Sequence, residues 1–157
     1  MKPINLKRLI LAIAIPELVG LLSSFLSGNI GGRYQSFNQP PLSPPGIVFP
    51  IVWAVLYALM GIASYIIYEQ AGRTKEGKDA LSFYLAQLFV NFIWPIVFFR
   101  AEAYWLAVVV LIILLALVVI TMLKFRKINK TAFYLMIPYL LWLIFATYLN
   151  IGVAVLN

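Results

Sequence analysis

The chain has 157 residues, of which 64% are hydrophobic and 11% charged, and a formal net charge of +7. A soluble globule of this size needs far more polar surface than that, so lipid is the solvent this composition suits. Neither cysteine nor histidine occurs, which excludes disulfide and thiolate chemistry and removes the commonest proton shuttle and metal ligand.

Five apolar segments long enough to span a bilayer core follow one another: about 4–27, 47–69, 81–99, 104–123 and 132–155. Unpaired backbone groups are costly in hydrocarbon and no barrel-like alternation is present, so the expected fold is all-α, an integral membrane bundle of five transmembrane helices forming one domain over 1–157. The first segment follows Lys2, Lys7 and Arg8, but Pro16 and Glu17 interrupt it and no small-residue cleavage site follows. It is read as a retained helix rather than a secretory signal. Its stripe of Pro16, Gly20, Ser23 and Ser27 lets a neighbour approach closely. The connection 28–46 is the longest and holds a proline cluster, NQPPLSPPG, that stiffens the approach to the second span.

The second span carries Trp53, Tyr57, Met60 and Ser64 at helical spacing. The third carries Gln87, Asn91, Trp94 and Phe98 in the same way, and the fifth Tyr139, Trp142, Ala146 and Asn150. The fourth, WLAVVVLIILLALVVITML, has almost no polar group and is expected to face mainly lipid or a partner subunit. At roughly 1.5 Å per residue, the polar and aromatic faces converge at one level beneath the proline-rich loop. Each residue also has a plainer reading: Trp53 and Trp94 as interface anchors, Trp142 as packing, Asn91 as a helix–helix bond. Ala54, Ala58 and Gly61 are candidates for a close contact between copies of the chain.

Basic residues sit between the apolar runs, ten on one set of connections and only Arg33 and Arg100 on the other. This bias places the N-terminus inside and the C-terminus and proline-rich loop outside. The charge is an orientation signal, and no nucleic-acid partner is expected. A prokaryotic cell membrane fits the pattern.

The blocks IPELVGLLSSF, NQPPLSPPG, FPIVWAVLYALMGIASYIIY, QLFVNFIWPIVFF and PYLLWLIFATYLN, in this order, resemble the TspO/MBR family of tryptophan-rich sensory and translocator proteins. The resemblance runs nearly end to end. It implies a five-helix bundle, usually a homodimer, that binds porphyrins and other flat apolar molecules in a pocket beneath the first loop. By position it implies ligand contacts at Tyr34, Pro44, Trp53, Tyr57, Asn91, Trp94, Trp142 and Ala146, and the helical face of the third span adds Phe98. A porphyrin or haem-type molecule would be a ligand; no cofactor is required and no metal ligands are assigned. Where the family loop commonly has two tryptophans, this chain has Arg33 and Leu42, which removes stacking surface. No Lys or Arg follows Tyr148, so the proposed sterol motif is incomplete.

Three functions remain open at this point. The leading one is a membrane receptor or binding protein for a tetrapyrrole, the second a porphyrin-degrading enzyme, for which no catalytic constellation is recognisable. The third is a transporter using Glu17, the only acidic residue well inside a span, as proton carrier.

Overall fold

A computed structural model describes residues 3–157; Lys2, counted above for orientation, lies outside them. The elements in chain order are α1 (Leu6–Leu26), the short α2 (Ile30–Ser36), α3 (Val48–Ala71), α4 (Lys75–Pro95) continuing as a widened π turn over Ile96–Arg100, α5 (Tyr104–Ile128) and α6 (Lys130–Leu156). Five of these are long and apolar enough to cross a membrane. No strand occurs among the described residues.

The helix ends are set by capping side chains rather than by where apolarity stops. Asn5 accepts from the Arg8 amide at 3.1 Å, Thr74 from Gly77 at 3.0 Å and Asn129 from Ala132 at 3.2 Å. This is why the third span begins at Lys75 rather than near 81, and why the fourth runs on to Ile128. Residues 28–46 hold about two helical turns that the proline content concealed. Asn29 caps them by accepting from Gly32 at 3.0 Å.

The spans close into a bundle in which α3 touches α1, α4 and α6, while α5 lies between α4 and α6. That position refines the expectation that the fourth span faces mainly lipid or a partner subunit, since one of its sides is packed inside the bundle. Ala107, Leu111, Leu114, Val118, Met122 and Phe125 are all buried along one side of α5. A helix with a uniformly apolar sequence gives no sign of which face is packed, because lipid and protein interior are equally apolar. The thinly packed span is instead α1, where Ile10, Leu18, Leu21 and Phe25 are all more than 60% exposed.

The small stripe of α1 does receive a neighbour. Pro16, Ser23 and Ser27 are buried, and the Ser23 hydroxyl donates to the Phe92 carbonyl oxygen at 2.7 Å. Gly61, read above as a contact between copies, faces inward: a Cβ there would lie 2.5 Å from Ile13 Cα and 2.6 Å from the Ala12 carbonyl oxygen. Backbone cannot yield as a flexible side chain can. Gly61→Ala is therefore expected to separate α1 from α3 and cost about 1–3 kcal/mol, as overpacking does, seen as a lowered thermal midpoint in detergent.

Candidate ligand chamber

At the end of the bundle that carries α2, side chains from α1, α2, α3, α4 and α6 surround a chamber of about 630 Å3. Ligand pockets usually fall between roughly 300 and 1,000 Å3. Tyr34, Trp53, Tyr57, Asn91, Trp94, Phe98, Trp142 and Ala146 all line it. Pro44 does not.

Helical periodicity brings the aromatic walls together. Trp53 and Tyr57, one turn apart on α3, stack with ring centroids 5.3 Å apart. Trp94 and Phe98, one turn apart at the end of α4, stack at 5.1 Å. Phe49 meets Trp142 edge-on at 5.7 Å and Tyr34 at 4.9 Å. Phe49 was not anticipated, since its position at the start of α3 reads simply as apolar. Nor was Phe99, and its cause is local: Pro95 has no amide hydrogen to donate, and the chain beyond it widens into the π turn. Both Phe98 and Phe99 are thereby buried and turned to the chamber. A proline in the third span was the available signal.

Most polar groups around the chamber are committed to one another. The Tyr57 hydroxyl donates to Asn91 Oδ1 at 2.8 Å, and Asn91 Nδ2 donates to the Tyr139 oxygen at 2.8 Å. The Tyr139 hydroxyl donates onward to Gln87 Oε1 at 2.8 Å, and Gln87 Nε2 reaches Met60 Sδ at 3.8 Å. Asn91 thus ties α3, α4 and α6, and a ligand would have to use its second N–H or displace Tyr57. Trp94 Nε1 donates to Asn150 Oδ1 at 3.0 Å, while Asn150 Nδ2 donates to the Tyr104 carbonyl oxygen at 3.1 Å. Two of the remaining groups bear on the chemistry of the chamber. Trp142 Nε1 is buried without an acceptor, and Glu17, on the α1 wall, bonds to no protein group among the described residues. No group of three acidic, His or Cys side chains among the described residues could hold a metal ion.

The cover over the chamber is α2 with residues 46–50, whereas the prolines 40, 41, 44 and 45 stand behind it. Pro40 packs where Gly152 lacks a side chain, since a Cβ there would lie 2.5 Å from the proline ring. The Tyr148 hydroxyl donates to the Pro41 carbonyl oxygen at 2.6 Å, and Asn157 exchanges hydrogen bonds with Asn38 at 3.0 and 3.1 Å. The Tyr34 hydroxyl donates to the Pro44 carbonyl oxygen, so Pro44 positions a chamber residue without being one. Arg33, in place of a loop tryptophan, pairs with Glu102. The prolines therefore brace the cover against α6. Burial raises the Tyr34 phenol above its ordinary value, with the Ser43 hydroxyl partly opposing. Tyr34 accordingly remains a donor at neutral pH, and the stability it lends fades only as pH rises from about 10.

A five-span bundle with an aromatic chamber under a braced loop defines a multi-pass membrane protein built to hold a ligand. Residues 12–156 match the TspO/MBR family. A translocator protein of Ovis aries is 34% identical over 138 residues, covering 87% of this chain and 82% of its own. A tryptophan-rich protein TspO of Archaeoglobus fulgidus is 32% identical over 154 residues, covering 98% and 99%. A tryptophan-rich sensory protein of Cereibacter sphaeroides is 36% identical over 124 residues, covering 79% and 76%. The chain belongs to the TspO/MBR family and is an integral, multi-pass membrane protein.

Two consequences can be measured. Asn91→Leu leaves the Tyr57 and Tyr139 hydroxyls without their shared partner, and is expected to lower unfolding stability by about 1–3 kcal/mol. Tyr34→Phe removes one bond from the cover; it should cost about 1 kcal/mol and speed proteolysis within 37–46 while leaving cleavage elsewhere unchanged.

Proposed function

We propose that the chain is a membrane receptor or binding protein whose chamber holds flat, apolar ring systems, with tetrapyrroles as the ligand class. One observation carries the reading. The chamber is about 630 Å3 in volume, and its walls present the faces and edges of Trp53, Trp94, Phe98 and Trp142 from three separate spans. Ring faces stack on a planar ligand and exclude water from it. The prior bracing of the cover reduces the ordering that binding must supply. The tetrapyrrole class comes from the family likeness, and the ligand is bound as a guest rather than as a resident cofactor.

The same reading extends to the setting. Lys75, Lys78, Arg126, Lys127 and Lys130 lie at the end of the bundle remote from the chamber. That segregation supports a cytoplasmic N-terminus with the chamber in the outer leaflet, and a prokaryotic cell membrane is the proposed setting. A homodimer is the proposed functional unit.

Trp53→Ala is expected to raise the dissociation constant for protoporphyrin roughly tenfold, the loss of one stacking wall. Binding is read from quenching of the remaining tryptophans. Trp105, 59% exposed and not part of the chamber lining, provides the control, and Trp105→Ala should leave the affinity unchanged. Equal affinity in wild type, Trp53→Ala and Trp142→Ala would overturn the assignment of the chamber.

A further inference from the structure

Glu17 accepts no hydrogen bond from the described residues. It stands near the middle of α1, roughly 14 Å along the helix from Leu26 at 1.5 Å per residue. Tyr57 and Asn91 lie at about the same depth on their own helices, so these three residues mark the chamber floor. One turn after Glu17, Gly20 lets the Tyr57 ring close in: a Cβ at Gly20 would lie 2.3 Å from Tyr57 Cε2. Glu17 lines the chamber beside that ring.

The charge inventory is one-sided. Among the described residues no Lys or Arg lines the chamber, and Glu17 is the only carboxylate that does. The amides of Asn91 and Asn150 and the hydroxyls of Tyr34, Tyr57 and Ser23 already have protein partners. A carboxylate inside a span that none of the described residues answers is a costly arrangement. It becomes favourable when the occupant supplies the missing donor. Around it stand electron-rich ring faces, with Trp53 stacked on Tyr57, and such faces attract a cation by their quadrupole. An acidic anchor and an aromatic wall at one end of an apolar chamber are the two elements that recognise a protonated nitrogen.

We propose that Glu17 is the polar anchor of the chamber and pairs with a protonated nitrogen on the edge of a flat aromatic ligand. The chamber thereby selects cationic ring systems over neutral and carboxylate-bearing ones of the same shape. The proposal rests on the chamber being a ligand site, as set out above, and adds the charge class of what it takes. A ligand bearing acidic groups is turned by the same residue, with those groups held away from the floor and toward the loop.

Three acridines of nearly equal shape test this: 9-aminoacridine, a cation at neutral pH, neutral acridine, and anionic acridine-9-carboxylate. Each is titrated into the full chain in a nonionic micelle, with binding read from tryptophan quenching. Wild type should bind 9-aminoacridine roughly tenfold more tightly than acridine, and the carboxylate most weakly. Glu17→Gln should bring the three to within about threefold of one another. Should Glu17→Gln fail to fold, Glu17→Asp keeps the charge and must keep the order of preference. A wild type without the preference, a preference that survives Glu17→Gln, or an order lost in Glu17→Asp overturns the anchor. If protoporphyrin binds and remains sensitive to Trp53→Ala in that case, the chamber stands and only the anchor falls. If neither protoporphyrin nor any acridine binds, both fall.

Discussion

The arrangement depends on one buried chain of hydrogen bonds, from the Tyr57 hydroxyl through the Asn91 amide and Tyr139 to Gln87. In a bilayer the hydrophobic effect does not drive helices together, because acyl chains are as apolar as leucine. Specificity must come from close contact and from polar groups that have no alternative partner. This chain joins α3, α4 and α6 at the level where the chamber begins, and every member is almost entirely buried. Below it the bundle is filled by Met60, Ile67, Leu114, Val118, Phe125 and Met136. Above it the same helices present rings that do not fill the space between them.

The chamber persists because its walls are held from behind. Trp94 is fixed by Asn150, which is itself fixed by Tyr104. Phe98 and Phe99 are packed edge to face at 4.7 Å, with Phe37 of the loop set against both at 5.5 and 6.2 Å. Rings buttressed in this way cannot collapse inward without breaking contacts on their far side. The thin packing of α1 marks the opposite condition. That wall is joined mainly through small residues, Gly20 against Tyr57 and Gly61 against the backbone of α1, where proximity rather than interlocking side chains provides the contact.

Much of this was legible in the sequence, and for a definite reason. Trp53 with Tyr57, Asn91 with Trp94, and Trp142 with Ala146 and Asn150 repeat at three or four residues, so a regular helix must put each set on one face. The five apolar runs gave the spans for the same reason. Three kinds of information were illegible. The packed face of α5 was hidden because every face of that helix is apolar. Phe99 was hidden because the π turn after Pro95 changes the repeat on which the reading relied. The division of labour in the loop was hidden because proline content reports stiffness without saying what the stiff segment leans on. The prolines brace α6, and α2 with Phe49 does the covering. Gly61 is a milder case: smallness told of a close approach, but not whether the approaching backbone belonged to the same chain.

The seat of Pro40 on Gly152 changes what a substitution far along α6 would mean. A methyl group at position 152 would strike the proline ring before it disturbed any helix–helix contact named above, and the segment carrying that ring continues into the rim of the mouth. An alteration there would present itself as a change in how guests come and go, with the bundle melting at its usual temperature. Surveys that sort mutations by their distance from the aromatic walls would file this glycine with the scaffold, although mechanically it belongs to the aperture.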